Sequence, residues 1–168
     1  MPGRFGTRYT QAKMIVADAD RVREPFVLVL AERPLSQQAK FRSRYQQRVA
    51  EAAAARFKGQ LQFAGDIYFR ITYCQPWPPR QDIDNIIKPL IDALKGVLFP
   101  DDAAVRQCAV ERILLDRSFT ISDRFRTAEA YNNLAELLAQ GVPDILYVEV
   151  GTAPEQQMTF GPLREVSR

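Results

Sequence analysis

The sequence predicts an α+β domain: a small mixed β-sheet with helices packed against it. The chain has 168 residues, the length of one domain, and its hydrophobic content of 46% is enough for one core. Short apolar runs typical of strands alternate with longer segments of helical periodicity. The resulting order is β-α-β-α-β-α-β, which predicts a sheet covered by helices.

Four segments carry the strand signal. Each is short, apolar and rich in β-branched or aromatic residues, and the second alternates between apolar and polar positions. They cover residues 25–31, 63–75, 104–116 and 144–150. Residues 76–81 hold three prolines, which lack the N–H that a helix or strand needs, so they predict a loop.

Three segments carry the helix signal: residues 37–57, about 85–95 and 126–141. For the first, Ser36 is the expected N-cap, and an apolar face repeats at every fourth position, at Phe41, Tyr45, Val49 and Ala53. The last has Thr127 as its expected N-cap and Gly141 as its expected end.

The elements also suggest how the chain is organised. Residues 1–24 mix glycine, proline and charge without periodicity and predict an N-terminal arm, and residues 151–168 predict a C-terminal tail. The domain is then expected to span 25–150, with 116–143 as an inserted helical segment.

Charge is distributed unevenly along the chain. Residues 1–58 contain 12 Lys/Arg against 5 Asp/Glu, a balance of +7, whereas residues 59–168 contain 11 against 15, a balance of −4. Within the predicted helix 37–57, Lys40, Arg42, Arg44 and Arg48 have no acidic neighbour along the sequence before Glu51. They are the candidate contacts to the backbone of a polyanion such as a nucleic acid, although a solvated basic helix face explains the same residues.

Several classes of site are excluded by composition. The chain has no histidine, which rules out catalytic triads, zinc sites and general bases that need one. Its two cysteines, Cys74 and Cys108, fall in predicted strands and form no CxxC motif, so free thiols are expected. With no signal peptide and no apolar run of membrane-spanning length, we expect a cytoplasmic protein.

One segment combines acidic and apolar residues in an unusual way: "RQDIDNIIKPLIDALKGVLFPDD", residues 80–102, which contains five aspartates. In an extended segment Asp82 and Asp84 point the same way, and Asp84 is the expected N-cap of the helix that follows. On that helix Lys88, Asp92 and Lys95 form a polar stripe opposite a core-facing apolar side, and Gly96 is expected to end it.

The segment predicts a metal site. Asp82, Asp84 and one of Asp101 and Asp102 can meet at one end of this helix. Carboxylates without histidine or cysteine suit a hard cation, Mg²⁺ with Mn²⁺ as a substitute, which offsets their mutual repulsion. Lys88 is placed to neutralise developing negative charge, so the pattern is typical of metal-dependent phosphodiester hydrolysis.

The same residues resemble the signature of the RusA-type Holliday-junction resolvases, Mg²⁺-dependent endodeoxyribonucleases. That pattern has two aspartates separated by one residue, then an asparagine, a lysine, a further aspartate and a paired Asp-Asp. It falls here on Asp82, Asp84, Asn85, Lys88, Asp92 and Asp101/Asp102. The resemblance extends over residues 25–115 and 144–150 in the order of elements. The arm 1–24 and the segment 116–143 depart from the family pattern.

The resemblance implies a set of roles. Asp82, Asp84 and Asp102 would bind the metal, with Asp101 as the alternative to Asp102, and Lys88 would be catalytic. It also implies a homodimer that cuts two opposed strands of a four-way DNA junction.

Beside this motif, Arg80 is a candidate phosphate contact or a solvated loop residue. Trp77 is placed either to stack on an unpaired base or to pack the proline-rich loop against the domain.

Three alternative functions fit the same sequence. The first is a metal nuclease with this centre that cuts flaps or replication forks. The second is a non-catalytic DNA-binding protein on the same fold, which the full aspartate and lysine set argues against. The third is a Mg²⁺ phosphohydrolase of small substrates, and the basic helix favours a polymeric substrate over it.

Overall fold

The computed structural model describes residues 24–36, 38–58, 62–79, 82–121 and 128–154. They form four strands, β1 (Phe26–Leu30), β2 (Ile67–Gln75), β3 (Val105–Leu114) and β4 (Ile145–Thr152), and three α-helices, α1 (Arg42–Arg56), α2 (Ile87–Leu94) and α3 (Ala128–Ala139). Two short 3₁₀ turns, Ile83–Ile86 and Asp102–Ala104, precede α2 and β3. The predicted order of strands and helices is confirmed.

The strands form one mixed sheet in the order β1-β4-β2-β3. β4 is antiparallel to both β1 and β2, whereas β2 and β3 are parallel and are joined through α2. A parallel pair needs such a crossover connection, and the crossover carries the acidic segment. β3 is therefore an edge strand, and the acidic segment leads into its start.

Helices cover both faces of the sheet. On one face, alternate residues of β2 point into the main core: Ile67, Phe69, Ile71 and Tyr73. α1 packs against them with Tyr45 and Val49, and α2 with Leu90 and Leu94. On the opposite face α3 packs against β1 and β4 through Ala130 and Leu134. Burial of each large apolar side chain contributes about 1.5–3 kcal/mol, so this core holds α1 and α2 in fixed positions on the sheet.

A buried carboxylate lies on the α3 side of the sheet. Glu149 of β4 is only 1% exposed, and its two oxygens accept hydrogen bonds from the hydroxyls of Tyr68 at 2.6 Å and Tyr147 at 3.0 Å. The ring of Tyr68 lies over Gly151, where a Cβ would come within 2.6 Å of it. A side chain at position 151 would therefore displace the Tyr68 hydroxyl, a hydrogen-bond donor that satisfies this buried polar group.

The predicted element boundaries need several corrections. α1 begins at Arg42 rather than at residue 37, and Ser36 does not cap it: its carbonyl instead accepts a hydrogen bond from the Ala39 N–H in a turn. β2 begins at Ile67, because Phe63 is buried in the preceding loop and donates its N–H to Leu98. β4 runs to Thr152, two residues past the predicted domain boundary.

The predicted ends of two helices are confirmed. Gly96 follows α2 with φ of +80°, and Gly141 follows α3 with φ of +69°, the left-handed conformation that glycine adopts without strain. The predicted cap Thr127 lies outside the described residues, as do the arm before residue 24 and most of the tail. In the described part of the chain, no helix combines the length and the apolar character that crossing a membrane requires.

Candidate active site

The acidic segment begins with an extended backbone at Asp82, continues through the 3₁₀ turn Ile83–Ile86, and then forms α2. Asp82 has an extended backbone (φ −70°, ψ 146°) at the start of the turn, and Asp84 lies inside the turn. Asp84 is therefore not the helix N-cap that the sequence predicted, because the 3₁₀ turn displaces the start of α2 to Ile87. No side chain caps either element, and both aspartates are exposed.

α2 separates apolar from charged residues along its length. Leu90, Ile91 and Leu94 are buried in the main core, whereas Lys88 is exposed and Asp92 partly exposed. Pro89 falls in the first turn, where its missing N–H leaves no intrahelical hydrogen bond unmade. The core thus fixes which face of α2 carries the charged side chains.

Two lysines of this segment bind the aspartate pair that precedes β3. The Lys88 ammonium lies 2.6 Å from Asp102 and 2.8 Å from Asp92, one helical turn along. The Lys95 ammonium lies 2.8 Å from Asp101 and 3.3 Å from Asp102. The predicted stripe on α2 and the Asp-Asp pair are thereby joined in one network of ion pairs.

The network shifts the pKa values of its members. Hydrogen bonds from Lys88 and then Lys95 hold the pKa of the Asp102 carboxyl well below its usual range. Hydrogen bonds to Asp102 and then Asp92 raise the pKa of Lys88, and the same effect from Asp101 and Asp102 raises that of Lys95. Asp102, Lys88 and Lys95 are therefore charged at neutral pH, although water screens their interactions at this exposed site.

The two aspartates of the pair are held differently. An Asp101 oxygen accepts a hydrogen bond from the Ala103 N–H at 2.9 Å and so caps the 3₁₀ turn Asp102–Ala104. Asp102 has no such role in the turn, and its carboxylate reaches across to Lys88 on α2. Asp101 stabilises the local backbone, and Asp102 faces the helix that carries the rest of the motif.

The acidic side chains are not drawn together into a metal-binding group in this arrangement. In the chain that the structure describes, no three Asp, Glu, Cys or His residues lie close enough to hold a metal ion. The Lys88 and Lys95 ammonium groups contact Asp102, and the carboxylate next to it is that of Asp101. The assignment of Asp82, Asp84 and Asp102 as metal ligands therefore stays a prediction.

Comparison with known families decides what kind of protein carries this motif. The family model for Endodeoxyribonuclease RusA matches residues 35–122, more than half of the chain. The match contains the whole acidic segment, α1, α2, β2 and β3. This chain belongs to the RusA endodeoxyribonuclease family. No curated protein matches the chain.

The RusA-family chain carries its basic residues beside this motif. Gln46 of α1 donates a hydrogen bond at 3.2 Å to the carbonyl of Pro89, the residue after Lys88. Lys40, Arg42 and Arg44 lie at the start of α1, within about two helical turns of Gln46. The basic start of α1 and the charged start of α2 therefore lie next to each other.

Arg48 differs from the other basic residues. Two of its three guanidinium nitrogens, Nε and Nη2, donate to the Glu32 carboxylate, at 2.5 and 2.8 Å. Arg48 thus has an acidic partner in space, although none lies near it along the helix before Glu51, because the turn after β1 brings Glu32 next to α1. Glu32 lies 16 residues before Arg48 along the chain, and no local sequence signal indicates that the two are in contact.

The remaining candidates of the RusA-family chain are placed as follows. Arg80 lies outside the described residues. Trp77 is 56% exposed, with the Arg117 guanidinium 5.3 Å from its ring centroid, so it does not pack the loop into the core. Lys95 was visible in the sequence as part of the polar stripe, but its contacts with both aspartates appear only in the structure.

A cavity of about 340 Å³ opens on the other face of the sheet. Its lining includes Thr72, Cys74 and Glu111, together with apolar residues of α3. None of the predicted site residues lines it, so it is distinct from the charged network.

Proposed function

We propose that this RusA-family chain is a Mg²⁺-dependent, structure-selective DNA endonuclease that resolves four-way junctions by paired phosphodiester hydrolysis. The observation that carries the proposal is the family match, because it contains the complete acidic motif in one stretch. The contact between Lys88 and Asp102 supports it, since it joins the two halves of that motif in space.

The donor chemistry of the site fits a hard divalent cation. Asp82 and Asp84 have exposed carboxylates that do not cap the 3₁₀ turn or α2. Asp102 has a carboxylate that is ionised at neutral pH. These three residues would hold Mg²⁺, or Mn²⁺ in its place. When bound, the cation supplies Lewis acidity at the phosphate and lowers the pKa of water to generate a nucleophile.

Asp102 is the better candidate than Asp101 for the third ligand. Asp101 is already engaged by the Ala103 N–H and by Lys95, and it stabilises the turn that presents its neighbour. Asp102 instead faces α2, which carries Lys88 and Asp92 of the motif. Asp101 thus acts as a positioning residue.

Lys88 has the charge and location for stabilising negative charge that builds up on the phosphate oxygens. Its ammonium is held by Asp92 from the same helix as well as by Asp102. The Asp92 contact keeps Lys88 oriented if Asp102 turns toward a cation. A preorganised cation of this kind lowers the barrier most when it acts in the transition state.

The DNA backbone would lie along the start of α1, where Lys40, Arg42 and Arg44 bind phosphates without reading bases, whereas Arg48, the fourth predicted contact, contributes less while it is paired with Glu32. Arg80 would add a phosphate contact next to Asp82. In a homodimer with two-fold symmetry, two such surfaces and two acidic sites would address opposed strands of one junction. Sedimentation of the protein with and without junction DNA tests that assembly, and a monomer in both conditions would contradict it.

Cleavage assays test the function directly. A synthetic four-way junction, a flap and a plain duplex are incubated with the protein, with and without Mg²⁺, and we expect symmetrical cuts in the junction only with Mg²⁺. Preferred cutting of the flap would favour the flap or fork nuclease, and binding without cutting would favour the non-catalytic protein.

Substitution of the acidic residues tests the site separately. Asp82→Asn, Asp84→Asn and Asp102→Asn should abolish cleavage and leave junction binding unchanged or tighter, because each removes a negative charge that faces phosphate. Asp66→Asn is a matched control, since Asp66 pairs with Arg106 outside the motif. Cleavage at the original rate by all three variants would refute the site assignment.

A further inference from the structure

The ring of Phe41 projects from the basic start of α1 rather than into the core. Three residues that continue its spacing, Tyr45, Val49 and Ala53, are fully buried, whereas Phe41 is 58% exposed. The sequence predicted it as part of the same apolar face, and this prediction is wrong because α1 begins only at Arg42. Its apolar surface therefore stays in contact with water at the edge of the domain.

Two cations lie close to this exposed ring. The Lys40 ammonium and the Arg44 guanidinium each lie 5.8 Å from the ring centroid. Their positive charge attracts a negatively charged partner to this site and repels a cationic one. An exposed aromatic ring beside two phosphate-binding side chains is a surface suited to single-stranded nucleic acid, whose bases stack while its phosphates pair with the cations.

The location of the ring relative to the motif is fixed by the helix packing. Gln46, five residues after Phe41, is hydrogen-bonded to the carbonyl of Pro89, next to Lys88. Arg56, at the far end of α1, instead binds the carbonyl of Val27 at the start of β1. The Phe41 end is thus the end of α1 that lies toward the start of α2 and its acidic residues.

We propose that Phe41 stacks on an unpaired or unstacked DNA base at the branch point, with Lys40 and Arg44 binding the adjoining phosphates. In an intact duplex the base faces are covered by their neighbours, so such a contact is available only where strands branch or separate. Phe41 would then contribute to selectivity for branched DNA. This inference rests on the proposed function and specifies how the substrate is recognised.

The experiment uses a four-way junction with 2-aminopurine at the branch point and a duplex with the same base in the same sequence context. Binding is followed in EDTA, so that no cleavage occurs, by anisotropy for affinity and by 2-aminopurine fluorescence for stacking. Phe41→Leu keeps an apolar side chain without a π face, and Phe41→Trp restores one. Circular dichroism verifies that both variants are folded.

Tyr131→Leu is the matched control. Tyr131 is another exposed aromatic, at 45%, but it lies on α3, whose charged residues are Glu129 and Glu136. Trp77→Leu tests the alternative that Trp77, rather than Phe41, stacks on the base. Trp77 is similarly exposed, at 56%, and also has an arginine beside its ring.

We expect wild-type protein to quench the branch-point fluorophore and Phe41→Leu to lose most of that quenching. Junction affinity should fall by about 5- to 100-fold, the range for loss of one base–aromatic stack, while duplex affinity changes less than about twofold. Phe41→Trp should restore both signals, and Tyr131→Leu should change neither.

Three results would overturn the inference. They are an unchanged junction signal in Phe41→Leu, an equal loss of junction and duplex affinity, and loss of quenching in Trp77→Leu alone. If wild-type protein does not prefer the junction to the duplex, the proposed substrate is itself wrong, and that result is distinct because it appears before any substitution is made.

Discussion

Neutralising Glu32 is expected to strengthen DNA binding by releasing an arginine. Arg48 is bound through two nitrogens to Glu32, which is 20% exposed, whereas Arg44 has no carboxylate partner within the described residues. The ion pair holds Arg48 away from phosphate, so the two arginines should differ in their contribution to binding. Glu32→Gln removes the partner and keeps the size of the side chain.

The magnitude follows from counterion release. Each phosphate contact contributes about 0.9 to the slope of log affinity against log salt, which corresponds to an affinity change of about 3.5-fold for a fourfold change in salt. Arg44→Ala should reduce the slope by about 0.9, and Arg48→Ala by clearly less. Glu32→Gln should raise it by up to about 0.9.

The assay is a salt titration of binding to a labelled four-way junction in EDTA. Glu51→Gln is the matched control, because Glu51 is on α1 and bonds Gln47 rather than an arginine. It makes the same change in net charge without releasing a cation. Equal slopes for Arg44→Ala and Arg48→Ala, or equal effects of Glu32→Gln and Glu51→Gln, would refute the reasoning.

Three further predictions concern the network, the core and the thiols. Lys88→Ala should lower kcat on a junction by about 100- to 1000-fold with little change in binding, and an equal loss of both would reduce Lys88 to a phosphate contact. Leu94→Ala removes a fully buried side chain and should cost about 2–5 kcal/mol, seen in calorimetry as a melting temperature lower by about 5–20 °C; a shift under about 2 °C would contradict the packing described. Burial, aided by the charge of Glu111, raises the pKa of Cys74 to about 11, whereas Cys108 is exposed. Alkylation at pH 8 should therefore modify Cys108 first. Mass spectrometry that finds Cys74 modified first would contradict this prediction.

Much of the fold could be predicted because local signals were strong. Gly96 and Gly141 end their helices, as expected, since a left-handed residue is needed there and glycine adopts that conformation without a steric penalty. Element starts were less predictable. Ser36 looks like a helix cap, yet the chain makes a turn there first, because the start of α1 is set by which residues reach the core rather than by the cap.

The division of the chain into an arm, a nuclease domain with an inserted segment and a tail stays a prediction. So do the metal ligands, the cofactor and the homodimer. The metal ligands, the cofactor and the homodimer each depend on a cation or a second chain. Binding of these partners is a property of the complex and does not follow from the fold of one chain.

The sequence by itself determined the family of the protein. The motif of Asp82, Asp84, Lys88, Asp92 and the pair before β3 predicted the family, and the family match confirms that prediction. Lys88 and Asp92 lie on one side of α2 because residues four apart are neighbours on any α-helix. Composition also excluded every histidine-dependent mechanism.

The tertiary structure decided which partner each charge has. Asp102 is bound by Lys88 and Lys95, Arg48 by Glu32, and Glu149 is buried between two tyrosine hydroxyls. Apart from Lys95 with Asp102 and Tyr147 with Glu149, these partners lie more than ten residues apart along the chain, and the packing of helices on the sheet brings them together. Whether a charge is available to DNA depends on that packing, because an ion pair or a buried hydrogen bond occupies the same donors and acceptors that a ligand would use.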